Sequence, residues 1–207
     1  MSIQDERVIV YIDGFNLYFG LRAKGWYKYY WLNMKTFAES LLIPDQTLVH
    51  TKYFTSKVSR PEAKRKRQAA YLSALSTLTG LSIYYGRYQS ISESCQHCGH
   101  TYTTSNEKKT DVNIATHMLV DVFQDRFDTA ILVSADSDLV SPISEILRLF
   151  PHKYVKVAFP PERSSFELKN TAPTSFTIYE KKFRKNQFPD QVQLPSGFIV
   201  KRPGKWR

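Results

Sequence analysis

Residues 8–12, Val8-Ile9-Val10-Tyr11-Ile12, form an unbroken apolar run that stops at Asp13-Gly14. A half-exposed strand would alternate apolar with polar residues. A run without alternation predicts a strand buried on both faces, and such strands belong to parallel sheets with helices on either side. Comparable runs occur at 48–54, 81–85, 129–133 and 154–159, with a weaker one at 176–179. The segments between them carry helical signals. Asn33 is placed to cap a helix over 33–42 that stops near Pro44. Pro61 is placed to open another, with Tyr71, Leu75 and Leu78 on one stripe and Gly80 as its stop. A third, over 111–123, aligns Ala115, Met118, Leu119 and Val122, and residues 136–150 read as a loop and then a helix. Strands alternating with helices predict a three-layer α/β fold with a mostly parallel central sheet flanked by helices.

The 207 residues suit one domain with a short appendage. The expected division is a domain over 1–180, interrupted by a polar Cys/His insert at about 88–108 that reads as a loop or knuckle, and a basic C-terminal extension over 181–207, a tail or hairpin. No internal repeat is visible. No run of 18 apolar residues occurs, which argues against a membrane-spanning helix, and the first seven residues lack a signal-peptide layout. A cytoplasmic location is the default expectation.

Charge narrows the partners. Lys and Arg total 29 against 19 for Asp and Glu, a formal net charge of +10. Such a balance favours polyanions, RNA or DNA before a membrane surface. Lys57, Arg60, Lys64, Arg65, Lys66 and Arg67 form one dense block, a phosphate-neutralising face or a merely solvated one. Trp26, Tyr27, Tyr29, Tyr30 and Trp31 form an aromatic run. Unpaired bases stack on such rings, although core packing or a homodimer contact would use the same residues.

Against this basic background several aspartates converge. Asp13 directly follows the first strand, and Asp136 and Asp138 directly follow the strand at 129–133. In an open parallel sheet these acids share the carboxyl edge, where ligands bind. Asp111 opens the helix at 111–123, at the mouth end of a stripe running through 115, 118 and 122. Singly, each acid reads as a turn or a helix cap. Together they repel one another unless a cation sits among them, and carboxylate oxygens favour Mg²⁺ or Mn²⁺. Ser134 is a supporting hydrogen-bonding group, and Lys109 is either a phosphate contact or a solvated side chain.

The two cysteines, Cys95 and Cys98, have the spacing of a zinc knuckle. His100 is a third Zn²⁺ ligand on that reading. The fourth is His97, a distant His50 or His117, or a residue of a second protomer. Reduced thiols in a loop are the alternative.

Three short segments carry a family resemblance. Residues 11–17, Tyr-Ile-Asp-Gly-Phe-Asn-Leu, resemble the opening motif of the NYN domain family, PIN-like ribonucleases, in its LabA-like branch. Residues 108–114 resemble the middle motif and 133–139 the third, usually Ser-Gly-Asp-Ser-Asp, with Ala135 where glycine is common. The resemblance spans about 7–180. It implies a PIN-like fold, a divalent metal, cleavage of single-stranded or structured RNA, and an acidic pocket of Asp13, Asn16, Asp111, Asp136 and Asp138. The leading expectation is therefore a metal-dependent ribonuclease, an endonuclease. A non-catalytic RNA-binding module on the same fold and a Mg²⁺-dependent phosphohydrolase are the alternatives. A pure binder has no need of a repulsive acidic cluster in a basic chain, and a small-phosphoester hydrolase has no need of the basic block.

Overall fold

The structure is a computed structural model that describes residues 5–94 and 96–207. In chain order its elements are β1 (Glu6–Asp13), α1 (Gly14–Ala23), α2 (Met34–Glu39), β2 (Gln46–Thr55), α3 (Glu62–Leu75), β3 (Leu81–Tyr85), β4 (Arg87–Ser94), β5 (Thr101–Lys108), α4 (Thr110–Phe123), β6 (Thr129–Val133), α5 (Val140–Leu149), β7 (Tyr154–Phe159), α6 (Phe166–Thr171), β8 (Thr174–Thr177), α7 (Glu180–Lys185), β9 (Gln191–Gln193) and β10 (Ile199–Lys201). Short 3-10 turns lie at Tyr27–Tyr29, Ser137–Leu139 and Gly204–Trp206.

Six strands form one sheet in the order β3-β2-β1-β6-β7-β8, and every neighbouring pair is parallel. The expected three-layer α/β architecture is what forms. Strand β1 lies between β2 and β6, with Ile12 opposite Tyr53 on one side and Val133 on the other. Its side chains divide between two cores. Val8, Val10 and Ile12 pack with Leu17, Phe37, Leu75 and Trp31 on one face, while Ile9 and Tyr11 pack with Ile114, Met118, Ile143 and Leu168 on the other. That two-sided demand is why the run cannot alternate.

Several boundaries differ from the sequence-based expectation. Asp13-Gly14 is not a simple turn, because α1 starts at Gly14 at once. Helix α2 ends at Glu39 and α3 at Leu75, and Pro61 sits just before the first helical residue. The last strand of the sheet is Thr174–Thr177 rather than 176–179, since Phe176 pairs with Ala158 of β7. The polar insert is an antiparallel hairpin, β4 with β5, in register from Arg87 opposite Lys108 to Ser94 opposite Thr101. Polar composition suggested a loop, but long strands closed by their own ladder need no apolar face. The C-terminal segment is packed against the domain: Phe183, Phe188, Val192 and Val200 join the first core, and Trp31 donates from its indole to the Pro189 carbonyl at 2.8 Å. Its basic residues obscure that apolar series. Among the described residues no helix is long and apolar enough to cross a membrane.

Candidate functional site

The chain leaves β3 at one edge of the sheet, passes through the hairpin and α4, and returns beside β1 as β6. Strands β1 and β6 therefore flank a switch point in the strand order, where the connections diverge and leave a crevice at the carboxyl ends. Asp13 ends β1, and Asp136 follows β6 by three residues. Asp111 lies in the first turn of α4. One carboxylate oxygen from each of Asp13, Asp111 and Asp136 falls within 4.8 Å of the others.

Asp13 serves two ends at once. One oxygen caps α1, accepting from the Phe15 and Asn16 amides at 3.0 Å each. The other accepts from the Asn16 side-chain amide at 2.6 Å and the Ser134 hydroxyl at 2.9 Å. Ser134, fully buried, also accepts from the Asp136 amide at 3.1 Å, and Asn16 accepts from the Ala135 amide at 3.4 Å. Asn16 and Ser134 thus tie the end of β1 to the loop after β6. Asp13 is at once a helix cap and a member of the carboxylate cluster, and the cap fixes the carboxylate that the crevice presents. Burial pushes the Asp13 carboxyl above its ordinary range, the bonds from Asn16 and Ser134 pull it back, and nearby Asp136 adds to the rise. A buried acid beside two others is an environment that a cation relieves.

Gly14 explains the tightness of this corner. A Cβ there would stand 2.6 Å from the Phe54 carbonyl oxygen and 2.8 Å from the Tyr53 hydroxyl. Only glycine lets α1 start against β2.

The other site residues expected from sequence fall in different places. Asp138 is exposed, donates its amide to Asp136 at 3.1 Å, and stands outside the group of three carboxylates. Lys109 is exposed at the start of α4, with a left-handed φ of 81°. The basic block splits by helical phase. Arg65 and Lys66 face outward and pair with Glu62 at 3.8 and 2.9 Å, whereas Lys64 and Arg67 lie on the stripe that continues to Gln68 and Tyr71. Lys57 and Arg60 are exposed ahead of α3, Lys57 above the Tyr85 ring at 4.8 Å. Cys98 and His100 are exposed at the hairpin tip, and Cys95 lies outside the described residues, as therefore does the complete knuckle. Two residues suggested as its fourth ligand are engaged elsewhere: His50 with the Ser82 hydroxyl at 2.8 Å, and His117 with the Lys52 ammonium at 3.4 Å.

A cavity of about 480 Å³ opens beside the acids and was not foreseen. Gly14 and Phe15, next to Asp13, form one end, and α1 lines it as far as Arg22. Helix α3 contributes Lys64 and Arg67, and the C-terminus contributes Lys205 and Trp206. The aromatic run divides accordingly. Trp31 is buried core, Tyr29 is buried and touches the cavity, and Tyr27 and Tyr30 line it. The missed signal was Phe15, Tyr18, Phe19 and Arg22, spaced as one face of a helix not recognised as one.

No curated protein sequence matches the chain. A crystal structure of a protein of unknown function from Vibrio parahaemolyticus is similar, with a TM-score of 0.57 and 18% identity over 87% of this chain and 97% of that one. At that identity the likeness concerns the fold. The NYN domain matches residues 7–180, the span that holds the sheet and all three clustered aspartates, and the chain belongs to the NYN domain family.

Proposed function

We propose that this protein is a divalent-metal-dependent ribonuclease, an endonuclease whose centre is Asp13, Asp111 and Asp136. The observation that carries the reading is the meeting of three carboxylates from three separate elements at the switch point of a basic NYN-family chain. The family is one of PIN-like nucleases, and hard oxygen donors at this spacing suit Mg²⁺ or Mn²⁺. A cation held there would polarise a phosphodiester and lower the pKa of a water nucleophile.

The remaining roles belong to the chain itself. Asn16 and Ser134 hold the Asp13 carboxylate in one orientation by two side-chain hydrogen bonds. Asp136 caps the turn at Ser137–Leu139 through the Asp138 amide, which fixes its own rotamer. Asp138, exposed within that turn, would order water at the rim. Lys64, Arg67 and the exposed Lys57, Arg60, Arg65, Lys66 and Lys109 would neutralise backbone phosphates on approach. Zinc at Cys95, Cys98 and His100 is a separate proposal, tested by metal content of the purified protein: stoichiometric zinc supports it and its absence removes it.

The test is cleavage of labelled single-stranded and hairpin RNA with Mn²⁺, Mg²⁺ or a chelator, comparing wild type with Asp136→Asn. Metal-dependent cutting that disappears in the variant is the expected result. Full activity in Asp136→Asn would sink the assignment, and salt-sensitive binding without cutting would favour an RNA-binding module.

A further inference from the structure

The cavity beside the acids has walls of an unusual kind. Tyr18 and Tyr30 lie 5.0 Å apart at a tilt of 37°, and Tyr27 and Trp206 each meet Tyr30 edge-on at 5.7 Å. Lys64 sits over the Tyr18 ring at 5.3 Å, and Arg67 follows it one turn along α3. The Tyr30 hydroxyl is buried in this wall beside Tyr18. Tyr27 is 49% exposed, so one ring of the wall faces solvent. A packed core has no reason to keep cations and a half-exposed ring around open space.

We infer that this cavity seats one unpaired nucleotide of the RNA substrate, its base among Tyr18, Tyr27 and Tyr30 and its phosphate on Lys64 and Arg67. The inference rests on the nuclease reading for its choice of polymer. Three observations favour this occupant. The volume falls in the range of about 300–1,000 Å³ typical of small-ligand sites. The walls combine π faces with cations, the two components that single-stranded nucleic-acid sites share. Gly14 and Phe15 line the cavity and directly follow Asp13, to which the Phe15 amide donates, so a nucleotide seated there would lie near the acids. Between Gly14 and Arg22 the helix rises about 12 Å, so the lining residues of α1 extend that far from the residue after Asp13. A duplex cannot splay a base into it, so the cavity selects single-stranded or looped RNA.

The test is binding of a labelled unpaired RNA oligonucleotide and of a blunt RNA duplex of equal length, with chelator present, to wild type, Tyr27→Ala, Tyr30→Leu and Arg67→Ala. The expected result is tighter binding of the unpaired strand by wild type. Tyr27→Ala and Tyr30→Leu should each weaken it about tenfold, with duplex binding little changed. Arg67→Ala should weaken single-strand binding and reduce its salt slope by about one. Tyr27 is half-exposed, so its variant folds even if Tyr30→Leu does not. Equal affinity of wild type for the two RNAs, or single-strand binding unchanged in Tyr27→Ala and Arg67→Ala, would overturn the inference. Cleavage assays on the same oligonucleotide separate the two readings. Unaltered ring-variant binding alongside dead Asp136→Asn removes the cavity proposal alone, whereas active Asp136→Asn removes the nuclease centre, whatever the rings do.

Discussion

Ser134 and Asn16 do for Asp13 what an engineer's bracket does for a contact: each has one bond to the carboxylate and one to the loop after β6. Removing either should leave the fold intact and loosen the acid. Ser134→Ala and Asn16→Ala are expected to lower metal-dependent cleavage by about 10–100-fold while leaving RNA affinity in chelator unchanged. A rate within twofold of wild type in both would mean that the bracket is decorative. Gly14 carries a different constraint, since any side chain there meets the Phe54 carbonyl and the Tyr53 hydroxyl. Gly14→Ala is expected to destabilise the protein by about 1–3 kcal/mol in denaturant unfolding, because backbone must shift to admit the methyl. An unchanged midpoint would show that α1 slides freely on β2. At this scale the acids were legible in sequence, because aspartates that follow buried strands announce themselves. Gly14 was legible only as a motif letter, since its neighbours come from a strand some forty residues away.

Helix α4 shows what an element conceals. Its apolar stripe was readable, but its inward face also buries Asp121, with no side-chain exposure at all. Asp121 meets the Lys52 ammonium of β2 at 2.6 Å, the Tyr11 hydroxyl of β1 at 2.6 Å and the Arg126 guanidinium at 3.2 Å. The Tyr11 phenol is pushed well above its ordinary range, first by burial and then by the Asp121 charge. An acid near the end of an apolar helix looks like an outward-facing residue until the sheet brings a lysine against it. Asp121→Asn would leave the Lys52 charge buried without its counter-ion. The expected cost is about 3–5 kcal/mol in equilibrium unfolding. The double variant Asp121→Asn with Lys52→Met should recover a large part of that, and its failure to do so would mean that the pair is not what the single variant loses. The hairpin was missed for the opposite reason. Nothing about its composition demands burial, and only the backbone ladder between Arg87–Ser94 and Thr101–Lys108 defines it.

Over the whole molecule the ionic arrangements sit at opposite ends of the sheet. The acids gather at the carboxyl edge. At the other edge Arg7 bridges Asp128 and Asp125 at 2.9 and 3.1 Å, and Lys153 contacts both. The hydrogen bonds from Arg7 hold the Asp128 carboxyl far below the ordinary carboxylate range. A depressed folded-state pKa means that this stabilisation is present above the carboxylate's unfolded value near 4 and is lost as pH falls toward the folded value. Wild type should therefore lose thermal stability below about pH 4 more steeply than Asp128→Asn, as melting curves across pH 2–6 would record. Parallel curves would exclude Asp128 as a source of acid sensitivity. The alternation of strands and helices, and with it the shared edge, was readable because both periodicities are local. The C-terminal packing was not, because Phe183 and Phe188 are separated by charged residues and find their partners on α2 and around Trp31.

The three clustered aspartates stand at positions 13, 111 and 136. During synthesis Asp13 emerges long before Asp136 exists, and the partner strand that brings Asp136 beside it, β6, follows β1 by more than a hundred residues. No incomplete chain that stops short of β6 can assemble the centre, however well its first strands fold. If the chain is the nuclease proposed above, it would be silent in the company of the polymer it cuts until β6 has been made and has closed beside β1.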